Sequence, residues 1–175
     1  MYSGEVPLTS VVRLSPPATT RSERWLTDEK WQGTREAIET IMGTTDYLEQ
    51  YFATNIVFEP LVGELFRSGF LMRVAAANND FVTPPVISAA EADYERNLAN
   101  TIDLVYLLAN DEQHGEHNRA LFRAWLKIHR PLAEKAARGL QPIWSEPHSK
   151  PVSFEDVRAQ SEERIGQILG ELGLN

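Results

Sequence analysis

Apolar residues recur along most of this chain at intervals of three and four, and no segment sustains the strict alternation of a half-buried strand. That periodicity predicts an all-α protein. Thr27 is placed to cap a first helix, with Asp28 and Glu29 at its positive end, Trp31, Ile38, Ile41 and Met42 near one face, and Gly43 closing it. A longer helix is expected over 46–78, where Leu48, Phe52, Ile56, Leu61, Leu65, Phe70 and Val74 drift around a broad face. Pro60 should bend or split it, because proline withdraws one backbone donor and crowds the carbonyl a turn earlier. After the break at Asn78-Asn79-Asp80, Thr83 followed by Pro84 and Pro85 looks like a cap and first turn, opening a helix over 85–110. A fourth helix is expected over 116–140, with Leu121, Trp125, Ile128, Leu132, Ala136 and Leu140 on its apolar face and a kink at Pro131. A proline-bearing linker over 141–151 then leads to a helix capped by Ser153 and closed by Gly173. Long helices joined by short turns imply an antiparallel bundle of about five helices.

Three stretches follow from this reading: an extended arm over 1–23, rich in Pro, Ser and Thr, a helical domain over 24–146, and a linker with a C-terminal helix over 147–175. The 175 residues suit one domain with a real core. With 42% apolar and 24% charged residues the profile is globular rather than disordered. No stretch approaches the roughly 20 apolar residues of a membrane span, and the N-terminus lacks the basic and apolar pattern of a secretory signal, so a cytoplasmic protein is expected. A formal charge of -8 argues against a nucleic-acid partner, which Lys and Arg would have to bind by displacing counterions. The absence of cysteine removes disulfides, thiolate metal sites and a cysteine nucleophile. Any metal must use His, Asp or Glu.

One local cluster has that composition: Asp111, His114, Glu116 and His117. It falls at a predicted turn interrupted by Gly115, where acids and histidines are ordinarily solvated, so the expectation is no metal. Between His117 and Leu140 six cations face Glu134 alone, and Arg119, Arg123, Lys127 and Arg130 form a basic stripe. The stripe could dock an acidic partner surface. It could equally be a solvated face balanced by Glu91, Asp93, Glu95 and Asp103 on the preceding helix. Trp25, Trp31, Trp125 and Trp144 suit either core or interface. No nucleophile elbow frames a serine, so hydrolase chemistry has no support.

Several blocks in a fixed order carry a resemblance: WLTDEKWQGTR at 25–35, FEPLVGELFRSGFLMRVAAAN at 58–78, DFVTPP at 80–85, EADYERN at 91–97, LLAND at 107–111, HGEHNR at 114–119 and LQPIW at 140–144. Together they resemble the second half of the small (beta) hydroxylase subunit of bacterial soluble di-iron multicomponent monooxygenases, of the propane and methane type. The resemblance implies a ferritin-like helical bundle that is half of a larger subunit. It also implies partners: a hydroxylase large subunit holding a di-iron centre, a second copy of that heterodimer, and a coupling protein and reductase acting on the assembled NADH-dependent complex. In the large subunit a Glu-x-x-His pair follows an Ala-Ala-Ala-Asn stretch and a Thr-Pro turn, so that one carboxylate and one imidazole project from the same helix face. Carried across from Ala75 to Asn78 and Thr83-Pro84, that pair falls on Tyr94 and Asn97, and the remaining carboxylate of the half-site falls on Pro60, beside Glu59 and Glu64.

The resemblance therefore implies a vestigial site, with no catalytic residue, metal or cofactor in this chain, and a non-catalytic structural subunit of an alkane hydroxylase. Two alternatives stand beside it: a self-contained ferritin-like metal-binding protein using Glu59, Glu64, His114 and His117, and an adaptor derived from the small subunit.

Overall fold

A computed structural model describes residues 21–175, and among them every regular element is helical. The expected arm over 1–23 lies largely outside the described residues. Its last three residues are helical instead, because helix α1 (Arg21–Thr27) already begins there. Thr27 ends this helix rather than capping the next. Asp28 takes the capping role: its carboxylate accepts from the Lys30 amide at the start of α2 (Glu29–Gly43).

The long helix α3 runs without interruption over 47–77, capped by Asp46, whose side chain accepts from the Leu48 and Glu49 amides. Pro60 neither splits it nor leaves a simple kink. After an α-helical turn (Tyr47–Phe52), two wide π-helical stretches (Ala53–Gly63 and Leu65–Leu71) carry the backbone past the proline before α geometry returns (Met72–Ala77). Wider i→i+5 turns absorb the missing donor that would break an i→i+4 ladder. Asn79, with φ 65°, then closes the helix by returning two hydrogen bonds, Asn79 N to Ala76 O and Asp80 N to Ala75 O.

Helix α4 (Thr83–Ala109) starts two residues earlier than expected, after a turn held by Asp80, which accepts from the Val82 and Thr83 amides and from the Thr83 hydroxyl. Helix α5 (Gly115–Gly139) continues through Pro131, and a short 3₁₀ turn (Gln141–Ser145) leads toward α6 (Phe154–Glu171). Ser153 caps α6 by accepting from the Asp156 amide. Gly173, at φ 66°, closes it with the same paired hydrogen bonds that end α3.

Helix α3 is the axis of the bundle, packed by α4, α5 and α6, while α2 lies along α5. Its turns supply Phe52, Ile56, Val57, Leu61 and Leu65 to the deepest part of the core. Phe52 stacks with Phe122 at 5.4 Å, and at the other end Trp144 sits 4.3 Å from Phe70 and 5.1 Å from Phe154. Trp125 and Trp144 are thus core residues, whereas Trp25 and Trp31 are only partly covered. The buried stripe of α5 is Phe122, Trp125, His129, Ala133 and Ala136, offset from the expected face, so that Leu121 and Ile128 remain exposed. The C-terminal helix shares this core through Val157, Ile165, Ile168 and Leu169. Close approach of α2 to α5 requires Gly33, where a β-carbon would lie 2.9 Å from the Lys135 carbonyl oxygen and 3.0 Å from Ala136 Cα. Among the described residues no helix is long and apolar enough to cross a membrane.

Candidate functional site

Of the positions that the resemblance marks as vestigial, Tyr94 lies where α3, α4 and α6 converge, among four glutamates and two arginines. From α3, Glu59 and Glu64 project toward α4. Arg67, one to two turns further on, reaches between them, with Nη2 2.7 Å from Glu59 Oε2 and Nε donating to Glu91 Oε1 at 2.7 Å. All three side chains are less than a quarter exposed. Gly63 makes room for this arrangement, since a β-carbon there would clash with the Glu59 carboxylate and lie 2.8 Å from Arg67 Nη1. Arg164, from α6, does for Glu64 what Arg67 does for Glu59. Its Nε lies 2.8 Å from Glu64 Oε1, and its Nη2 donates to Glu95 Oε1 at 2.6 Å.

Tyr94 sits between the two clusters. It is 5% exposed, and the Arg67 guanidinium lies 5.7 Å from its ring centroid, within cation–π range. Burial, and then the negative charge of Glu64, push its phenol well above the usual tyrosine range. Burial also pushes Glu64 up to about 7, against the opposing pull of Arg164. Asn97, one turn after Tyr94, faces away from this interior and lines a surface groove. Pro60 is buried in the core.

This donor set does not fit a di-iron centre. Each of the acids that could have served as a ligand, Glu59, Glu64, Glu91 and Glu95, is held by a guanidinium, and a phenol and an outward amide stand where carboxylate and imidazole would be needed. Positive charge in the cluster comes from Arg67 and Arg164 themselves. At the turn before α5, Asp111 is spent on backbone: its Oδ1 accepts from Gln113 N at 3.0 Å and His114 N at 2.7 Å, and these bonds hold its carboxyl below the usual range. His114 and His117 are both exposed. The residues of the alternative self-contained metal site, Glu59, Glu64, His114 and His117, are not brought together.

Most of the basic stripe is committed within the chain. Arg119 donates to the Ala109 carbonyl at the end of α4, Arg123 donates to Gly173 O at 2.8 Å at the end of α6, and Arg130 bridges Glu134 and Glu162. Arginines at the carbonyl ends of neighbouring helices satisfy unpaired acceptors and oppose the negative end of the dipole. Among the described residues Lys127 is the member of the stripe with neither an ion pair nor a side-chain hydrogen bond. Three of the four acids expected to balance the stripe serve elsewhere: Glu91 on Arg67, Glu95 on Arg164, and Asp93 on Arg96 of its own helix.

One polar pair escaped the sequence reading. His129, 3% exposed on α5, has Nε2 2.9 Å from Glu49 Oε1 on α3. Eighty residues separate the two, and no local motif frames either.

An all-α bundle whose central charged cluster lies between two long helices defines the class, and the family follows from the sequence. The chain belongs to the methane/phenol/alkene hydroxylase family, whose model matches residues 10–112. It is 43% identical over 157 residues to the propane 2-monooxygenase hydroxylase component small subunit of Rhodococcus jostii, a match covering 90% of this chain and 43% of that protein. More distant are the methane monooxygenase component A beta chain of Methylosinus trichosporium, 34% identical over 58% of this chain and 26% of that one, and the toluene-4-monooxygenase hydroxylase subunit beta of Ectopseudomonas mendocina, 32% identical over 66% and 34%. The chain thus spans less than half the length of these relatives.

Proposed function

We propose that this chain is a non-catalytic structural part of the hydroxylase component of a propane-type alkane monooxygenase, packing against a large subunit that holds the di-iron centre. The observation that carries the reading is that guanidinium groups hold every carboxylate of the cluster. Arg67 and Arg164 supply the positive charge that four clustered carboxylates require, and Tyr94 fills the space between them. Such a cluster fixes three helices in register and leaves no open coordination position for chemistry. Similarity to small subunits of propane, methane and toluene hydroxylases supports the same role.

In this reading the assembled hydroxylase contains two copies of the heterodimer, takes electrons from NADH through a reductase, is gated by a coupling protein, and works in the cytoplasm. What this chain contributes is shape and rigidity. The test is co-expression with a hydroxylase large subunit from the same source. Co-purification, with propane oxidation that falls when this chain is omitted, is the expected result; assembly and activity unchanged by its omission defeat the proposal. The self-contained metalloprotein has no support in the arrangement of the acids, and no feature of the structure favours an adaptor.

A further inference from the structure

Beside Glu64, α3 and α6 enclose a cleft of about 190 Å³ lined by Glu64, Ser68, Arg73, Gln160, Ser161 and Arg164. Spacings of four and five residues put Glu64, Ser68 and Arg73 on one face because the backbone between them is π-helical, with wider turns than an α-helix. Gln160 and Ser161 share a face with Arg164 at ordinary α-helical spacing. Gly69 lets the two helices close on each other, since a β-carbon there would clash with Val157 Cγ1. A water takes about 30 Å³, so the cleft has room for a small polyatomic ion together with water.

Its polar groups are incompletely paired. Ser161 is 5% exposed, and its hydroxyl has no hydrogen-bond partner among the described residues. A buried hydroxyl left unpaired costs free energy unless something entering the cleft supplies the bond. Arg73 has no carboxylate partner among the described residues and makes a single long hydrogen bond, from Nη2 to Gln160 Oε1 at 3.4 Å. Arg164 holds Glu64 Oε1 and Glu95 Oε1, and Glu64 Oε2 is left without a partner. Ser68 is committed to the Glu64 carbonyl at 3.0 Å. The cleft therefore offers donors from two guanidinium groups and one hydroxyl, and one carboxylate oxygen that can only accept when ionised.

We propose that this cleft binds a small oxyanion that still carries a hydrogen, hydrogen phosphate or hydrogen carbonate, with Arg73, Arg164 and Ser161 donating to its oxygens and Glu64 accepting its hydrogen. Guanidinium groups suit such an ion because their planar donors match two oxygens at once. The carboxylate supplies selectivity, since a fully deprotonated anion such as sulfate would set an oxygen against Glu64 Oε2 with no hydrogen between them. Glu64 is faced by Arg164 from α6, by Glu91, Glu95 and the Tyr94 phenol from α4, and by Arg67 from its own helix. Burial outweighs the two arginines and pushes Glu64 up to about 7, so the acceptor becomes a donor as pH falls through that value. The site is independent of the role proposed for the chain in a hydroxylase.

The full chain is titrated with inorganic phosphate, hydrogen carbonate and sulfate at matched ionic strength, followed by calorimetry and by the shift in thermal denaturation. At about pH 8, saturable one-to-one binding of phosphate or hydrogen carbonate is expected, about tenfold or more tighter than sulfate. The two arms separate the candidate ions, and the tighter of them is the ligand class. At about pH 6 the preference of phosphate over sulfate should shrink to about threefold or less, because a protonated Glu64 donates to either ion. Ser161→Ala and Arg73→Gln should each weaken binding about fivefold or more, and Lys127→Gln on α5 should leave it unchanged. Arg73 is exposed, so its variant reports on binding even if Ser161→Ala perturbs the fold. Saturation by none of the three ions would mean that the cleft holds water only and would overturn the proposal. Sulfate bound as tightly as phosphate at the higher pH, or Ser161→Ala and Arg73→Gln chains that bind like the parent, would overturn it as well.

Discussion

Replacing Arg67 by methionine removes the charge while keeping most of the side-chain volume, and it leaves Glu59 and Glu91 facing each other without a cation. The two carboxylates are 22% and 18% exposed, so neither is free to recover full hydration. Breaking a fully buried ion pair by removing one partner costs about 3–5 kcal/mol, and an exposed pair is worth about 0–1 kcal/mol. With the Arg67 side chain 23% exposed and bonded to both acids, a loss of about 2–3 kcal/mol is expected, part of it from the lost contact with the Tyr94 ring. Urea denaturation at neutral pH, read by far-ultraviolet circular dichroism, measures it directly. The control is the triple variant Arg67→Met/Glu59→Gln/Glu91→Gln, which removes the unpaired charges and should recover more than half of the loss. A loss below about 0.5 kcal/mol for Arg67→Met, or a triple variant less stable than the single, would refute the idea that this arginine is the cluster's structural cation.

Other expectations follow from the same structure. Glu64 titrates at about 7 in the folded chain, above its unfolded value, so its contribution to stability is full below about pH 4.5 and is lost as pH rises through 7; Glu64→Gln should therefore flatten the decline in stability across that window, measured by denaturation at several pH values. Gly33→Ala should lower stability by about 1–3 kcal/mol, because the new methyl meets Lys135 and Ala136 backbone rather than a side chain that can swing away; a neutral result in thermal denaturation would mean that α2 and α5 are free to part. Installing the missing motif with Tyr94→Glu/Asn97→His should not create an iron site by elemental analysis, since Arg67 and Arg164 still hold the neighbouring acids and residue 97 faces outward.

Much of the fold was legible in the sequence, and the reasons are local. Gly43, Asp46, Ser153 and Gly173 mark helix ends because capping chemistry depends on one side chain and the few amides next to it. Thr27 misled for the same reason: two adjacent capping residues compete, and Asp28, not its neighbour, satisfies the Lys30 amide. Pro60 signalled a disturbance, but whether a helix kinks, breaks or widens is decided by the packing of its neighbours, and α3 is surrounded by three of them. At the site, the structure brings Tyr94 beside Glu64 on the facing helix, whereas Asn97, one turn on, faces outward. The sequence offered no means of finding Arg164, which arrives from a helix 67 residues beyond Asn97, or the Glu49–His129 pair, because such partners are created only when helices pack. The basic stripe of α5 was visible as a pattern, whereas the helix ends that consume Arg119 and Arg123 are tertiary neighbours.

In the proposed function Arg67 and Arg164, not a metal, supply the positive charge of the glutamate cluster. The most direct measurement is the iron content of the purified full chain after incubation with ferrous iron and removal of the excess. Far less than one iron per chain, with denaturation unchanged by the incubation, is the result expected of a cluster closed by Arg67 and Arg164. Two tightly held irons per chain would contradict it.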